Sequence, residues 1–307
     1  MRSENWVWVL AVSLMAGCGG GNKAEERRGP VEDDPRCVAY TTATCGKMAQ
    51  CWPWLLQASY GDLDTCVERS AQLCANVVSA PGTSWTMEKI DACAQALPTI
   101  SCDTWWNSVA PACDPGPGEL PDGSSCIDKS QCQGGSCLQG SSGCGVCATV
   151  SPVGGECTSS AQCVSGAACS AEGKCVIPAA LGASCDAANP CGINLRCAEG
   201  KCEPLVGEGG ACDPTMFGDC DFFQGLACDP ADSTCKAVAL APAGSQCGAV
   251  DGQLTTCGGG AICSSSQAVC IEPLADGEPC SDQSEAQCAP PAACINGVCT
   301  VPGTTCG

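Results

Sequence analysis

Thirty-five of the 307 residues are cysteine, and no other feature narrows the folding of this chain so far. More than one residue in ten is the density found in disulfide scaffolds. Large apolar groups are unevenly spread. Trp52, Trp54, Trp85, Trp105 and Trp106 all precede residue 114, as do Tyr40 and Tyr60. Beyond that point the aromatic residues are Phe217, Phe222 and Phe223. A stable layer of secondary structure needs an apolar face to bury. The first third of the chain can build one, and the remainder mostly cannot. The expected architecture is a small disulfide-rich fold: an N-terminal disulfide-bonded α-helical domain, then a linear array of short β-hairpin and turn cysteine-rich modules.

The helical domain spans 37–113 and carries Cys37, Cys45, Cys51, Cys66, Cys74, Cys93, Cys102 and Cys113. Val38, Cys45, Met48 and Ala49 recur on one helical face, and Leu63, Cys66, Val67, Ala71 and Cys74 on a second. Asp62 and Asp64 suit the start of that second helix. Met87, Ile90, Ala94 and Leu97 form a third stripe, expected to begin near Ser84 and to end before Pro98. Pro81-Gly82 marks the turn between the second and third helices. Eight cysteines allow about 100 connectivities, so the pairings stay open. Trp52, Trp54, Trp105 and Trp106 are the candidate partner-binding residues, since exposed Trp can stack on a sugar or anchor a protein. Five Trp in so small a domain can equally fill its core.

A linker, 114–122, leads into 123–307, read as six four-cysteine repeats and a truncated seventh. The units hold Cys126, Cys132, Cys137 and Cys147; Cys157, Cys163, Cys169 and Cys175; Cys185, Cys191, Cys197 and Cys202; Cys212, Cys220, Cys228 and Cys235; Cys247, Cys257, Cys263 and Cys270; Cys280, Cys288, Cys294 and Cys299. A glycine stands three residues before each first cysteine: Gly123, Gly154, Gly182, Gly209, Gly244 and Gly277. Three before the third cysteine stand Gly134, Gly166, Gly225 and Gly260, with Asn194 and Pro291 as replacements. That position reads as a turn, because Gly and then Asn tolerate positive φ. Each junction holds a proline (Pro152, Pro178, Pro204, Pro242, Pro273) and reads as an extended, semi-rigid spacer. Cys144 and Cys306 are surplus. They could pair with each other only if the array bends back; the preferred expectation is local reshuffling within the first unit, with Cys306 free or intermolecular. Each disulfide closing a loop of a dozen residues adds about 3 kcal/mol by constraining the unfolded chain.

At the N-terminus, Trp6 to Ala16 are apolar except Ser13. That length suits the core of a signal peptide, here 1–17, and is short for a membrane span. Ala16-Gly17-Cys18 resembles a bacterial lipobox, with Met15 where Leu is usual and Leu14 one position early. The resemblance implies lipid attachment at Cys18, a lipid-anchored flexible tether over 18–36, and, because Gly19 rather than Asp follows, the outer membrane or cell surface. A plain secretory signal is the rival. Without Cys18 the cysteine count is an even thirty-four, as full pairing in an oxidising compartment requires.

"GGECTSSAQCVSGAACSAEGKC" and "GASCDAANPCGINLRCAEGKC" resemble the Dickkopf N-terminal cysteine-rich type of repeat. The family's densely spaced later cysteines, adjacent pairs included, are missing here. Dickkopf proteins antagonise Wnt receptors, but what the resemblance implies for this chain is a module fold and not a target. With the lipobox, the whole resembles a cysteine-rich lipoprotein of the myxobacterial type.

Net charge is −20 and histidine is absent. So acidic a chain lacks the basic groups that displace counterions from nucleic acid, and charge gives it no hold on an anionic membrane. Without histidine there is no Ser-His or Cys-His nucleophile pair and no His-containing zinc site. Cys144-Gly145-Val146-Cys147 has redox spacing without a strand-to-helix context. Cys-x-Cys and Cys-Cys pairs, the usual metal-storage spacings, do not occur. The expectation is a protein with no enzymatic activity, cofactor or metal. Its membrane contact is an N-terminal lipid, and its partner an unknown protein or glycan at the cell surface. The alternative is a protease inhibitor presenting the loop "GAVDGQLTTC" after Cys247.

Overall fold

In a computed structural model the described residues are 34–107, 110–139, 144–215, 218–281 and 284–303. Five helices come first: α1 (Pro35–Cys51), α2 (Pro53–Tyr60), α3 (Leu63–Ser79), α4 (Met87–Ala96) and α5 (Cys102–Asn107). Short strand pairs follow to the end. Among the described residues, no helix is long and apolar enough to cross a membrane.

α1 and α3 are joined by Cys37–Cys74 and Cys45–Cys66. Both helices space their cysteines by eight residues, about 12 Å of rise, so the two bridges are rungs between antiparallel rods. Ala75 and Ile90 pack against the first rung, with Tyr40, Val78 and Trp85 beside them. Leu56 and Tyr60 pack against the second. Cys51–Cys102 ties α5 to α1, and Cys93–Cys113 ties α4 to the short turn Pro111–Cys113 that follows α5.

Three differences from the sequence expectation concern helices. α2 begins at Pro53, which is suited to a first helical position; the Trp-Pro-Trp pattern hid it. α5 is a six-residue helix begun by a cysteine, too short for its period to show. α4 begins at Met87 and not near Ser84, because the Thr86 hydroxyl accepts the Lys89 amide at 3.4 Å. The Ser84 hydroxyl is engaged elsewhere, donating to the Gly116 carbonyl at 2.7 Å.

The six units are built on one plan. First pairs with third cysteine and second with fourth: Cys126–Cys137 and Cys132–Cys147, Cys157–Cys169 and Cys163–Cys175, Cys185–Cys197 and Cys191–Cys202. Cys212–Cys228, Cys220–Cys235, Cys247–Cys263, Cys257–Cys270, Cys280–Cys294 and Cys288–Cys299 continue it. Third and fourth cysteines face each other across an antiparallel hairpin. The residue before the first cysteine pairs with the residue before the fourth. The leading glycine closes the module, its amide donating to the fourth cysteine's carbonyl at 2.7 to 2.8 Å in every unit. All six have φ between +76° and +87°, a region that a Cβ disfavours.

The second glycine position is less uniform than the sequence suggested. Gly166, Gly225 and Gly260 have positive φ, but in the first unit Gly135 takes that conformation in place of Gly134. Asn194 is not left-handed, and Pro291 follows a cis peptide bond.

The junctions are part of the modules. Leu120, Ser151, Ala179, Val206 and Leu274 each bridge in parallel to the second cysteine of the unit that follows. At the fifth unit the bridge widens to Ala239–Ala241 lying parallel to Thr255–Cys257. The expected reshuffling in the first unit does not occur: its four cysteines pair as in the others. Cys144 is disulfide-bonded as well; Cys18 and Cys306 lie outside the described residues.

Candidate functional site

The modules return to the helices that precede them. The first sits on the turn between α3 and α4, where the Ser84 amide donates to the Ser130 carbonyl at 2.8 Å and the Gln131 side-chain amide to the Pro81 carbonyl at 2.9 Å. The fifth pairs with the end of α2 through the Gly259 and Gly260 amides, which donate to the Gln57 and Ala58 carbonyls at 2.9 and 2.8 Å. The sixth is held by Arg69 of α3. Its guanidinium forks onto both oxygens of Asp276 at 2.5 and 2.8 Å and also donates to the Pro290 and Ala289 carbonyls at 2.9 Å. A planar fork is suited to this, and an ammonium is not. Asn76, farther along α3, donates to the Pro302 carbonyl.

The tryptophans singled out in the sequence serve the fourth of these contacts. Trp52 is 3 % exposed. Its ring lies 4.9 Å from that of Phe223 and 4.7 Å from that of Trp105. Cys51, Leu55 and Phe222, with Ile193 and Leu205 from the preceding module and junction, complete the cluster. Trp54 donates its indole N–H to the Val238 carbonyl at 3.1 Å and lies close against Gly225, where a Cβ would come within 2.2 Å of the ring. The structure thus brings Trp52, Trp54 and Trp105 to one seam between the helices and the fourth module. Trp106 belongs to α5, and its side chain is outside the described residues. The sequence signal for this seam was present: Phe222-Phe223 is the only aromatic pair in the array, and it has a mate of the same kind in the helical domain.

Cysteine sulfurs gather in each module, three or more within 4.8 Å of one another. They are the ends of two crossing disulfides. A disulfide sulfur has no thiolate to offer a metal, so the gathering reports tight packing of the bridges.

The carboxylates with altered acidity are those that order turns and caps. The Thr65 amide, donating at 2.7 Å, holds the Asp62 carboxyl below its ordinary range. The Asn189 side chain does the same for Asp186, and Thr215 for Asp213. Lys236, between Asp229 and Asp232 at 2.6 Å each, lowers both carboxyls and is itself raised by them. Burial pushes the Tyr40 and Tyr60 hydroxyls upward.

Two surface features remain. The loop after Cys247 is a hairpin of Gly248–Val250 against Gln253–Cys257, turned by Asp251 and Gly252 at φ +48° and +82°. The second module carries a depression lined by Glu156, Thr158, Gln162, Glu172 and Lys174, and Val153 and Ile177, just outside the module in sequence, have exposed apolar side chains. No family model, curated protein or solved structure matches this chain.

Proposed function

We propose that this chain is a non-enzymatic, lipid-anchored protein of the cell envelope. Its disulfide modules serve adhesion, scaffolding or ligand binding at the cell surface. The observation that carries the reading is the six-fold recurrence of one first-to-third, second-to-fourth pairing. Such a set of bridges persists only outside a reducing cytoplasm. Ala16-Gly17-Cys18 supplies the address, and a diacylated or triacylated Cys18 would hold the chain at a membrane, since multiple acyl chains anchor stably. The Dickkopf-like spacing supports a rigid extracellular module whose target is set by surface side chains.

The test is labelling with a radioactive fatty acid in a bacterial host. Label on the wild-type chain and its loss in Cys18→Ser, with release of that variant from membranes, supports the anchor. Cleavage at another site, or an unmodified Cys18, removes it.

The hairpin tip at Asp251-Gly252 favours a second reading, protease inhibition. It projects from a sheet backed by a parallel strand, the rigid presentation that an inhibitory loop needs. A panel of serine and cysteine proteases whose rates are all unchanged by the protein removes that reading.

A further inference from the structure

Cys144 is the one described cysteine that the common plan does not use. The others are taken up by the bridges of the helical domain and by the two bridges of each unit. Cys144 is nevertheless disulfide-bonded. Within the chain, Cys18 and Cys306 are what remain to bond it.

The array carries the end of the chain back to where the first module sits. Val301 and Pro302 are buried, and the Pro302 carbonyl accepts from the Asn76 side chain in the last turn of α3. The first module rests just past that turn. Its Gln131 donates to the Pro81 carbonyl, and the Ser130 hydroxyl lies 2.9 Å from that of Thr83. The same module reaches α1, where the charge of Asp128 adds to the burial that raises the Tyr40 hydroxyl. Tyr40 packs on the Cys37–Cys74 rung together with Ala75, the neighbour of Asn76. In the module's ladder Ser125 faces Val146 and Cys126 faces Gly145. That register brings Cys144 level with Ile127, beside Asp128. The first module and the last described residues therefore meet at one end of the α1–α3 pair. Four further residues of chain reach at most about 14 Å, so Cys306 begins its search from that end.

Cys18 is occupied by lipid under the reading proposed above, and the choice of Cys306 rests on that reading to this extent. We propose that Cys144 and Cys306 form a disulfide that clasps the end of the chain to the first module and closes the six modules into a ring. Two thiols lose two protons and two electrons as the S–S bond forms. A disulfide-bearing oxidant of the envelope takes up the electrons and becomes a dithiol. Bridges within the units span 11 to 16 residues and can form locally. The clasp joins positions far apart in sequence, and its sulfurs come within bonding range only when the array is seated on the helices. It therefore locks that arrangement. Without it the sixth module is held by the Arg69 fork and the Asn76 contact; with it the end of the chain cannot leave.

The test is peptide mapping of the detergent-extracted full chain without reduction, beside Cys306→Ser. The expected wild-type product is a Cys144–Cys306 peptide pair from a monomeric chain. Cys306→Ser should expose one maleimide-reactive thiol, on Cys144, with the bridges of the six units intact. In solution scattering, Arg69→Ala should raise the radius of gyration more in the Cys306→Ser chain than with the clasp present. A Cys18–Cys144 pair would overturn both this proposal and the lipid anchor. Lipid on Cys18 with Cys144 bridged to a second chain, or with Cys144 still bonded within its own chain in Cys306→Ser, would overturn the clasp and leave the anchor standing. Equal increases in radius would overturn the lock.

Discussion

Gly154 shows at one residue how the modules close. Its φ of +86° and its bond to Cys175 leave open space where a Cβ would lie, so Gly154→Ala tests backbone strain alone. We expect a loss of about 1–2 kcal/mol, the cost of a left-handed L-residue. Gly207→Ala, also in open space but without positive φ, should stay within about 0.5 kcal/mol of wild type. Urea midpoints of the oxidised proteins check both. Asp62 gives a pH prediction. Its folded pKa lies below the ordinary 3.8 through the Thr65 bonds, so the stabilisation is present above the unfolded value and is lost as pH falls through the folded one. Helicity should decline below pH 3.8, and Asp62→Asn, which caps as well without ionising, should remove that part of the decline in far-UV circular dichroism. Residues of this kind were legible in the sequence, since glycine spacing and an acidic cap are local signals. Asn194 was misleading, because its tolerance of positive φ says what it can do and not what its turn requires.

At the scale of elements, the disulfides set the behaviour. Removing Cys157–Cys169, a bridge of sequence separation 12, should cost about 3 kcal/mol. The damage should stay local, because the second module's hydrogen bonds to the rest of the chain run to modules one and three. New protease cleavage confined to 154–176, with helical content unchanged, is the expected result for Cys157→Ala with Cys169→Ala. Removing Cys51–Cys102, separated by 51 residues, should cost about 4 kcal/mol. It should also loosen Trp52 and Trp105 together, read as a red shift in tryptophan emission. The α1–α3 ladder could have been found in the sequence. Cys37 and Cys45 are eight apart, as are Cys66 and Cys74, and equal spacing on two helices is the mark of two rungs. α2 and α5 were hidden by their shortness and by a proline, which breaks a helix inside but begins one at its edge.

Across the whole molecule, the array is sequential in its pairing and returns to the helical domain in its packing. Apart from the aromatic pair Phe222-Phe223, that return was illegible beforehand. Each junction looked like a spacer, and the groups that reel the modules in, Arg69, Asn76, Trp54 and the Gln57 and Ala58 carbonyls, carry no periodic signal. Arg69→Ala with Trp54→Ala should release the fourth and sixth modules without breaking a bridge, and the radius of gyration in solution scattering should rise. Arg69→Lys keeps the charge but loses the fork, and should release the sixth module nearly as far. An unchanged radius in both variants would mean that the seams do not hold the array.

Beneath these statements lies the claim that paired sulfur takes the place of an apolar core in 123–303. Peptide mapping of the native, unreduced protein by mass spectrometry tests it most directly. The account predicts first-to-third and second-to-fourth bridges in all six modules, with Cys144 oxidised. First-to-second pairing, mixed bridges between modules, or a majority of free thiols would contradict it.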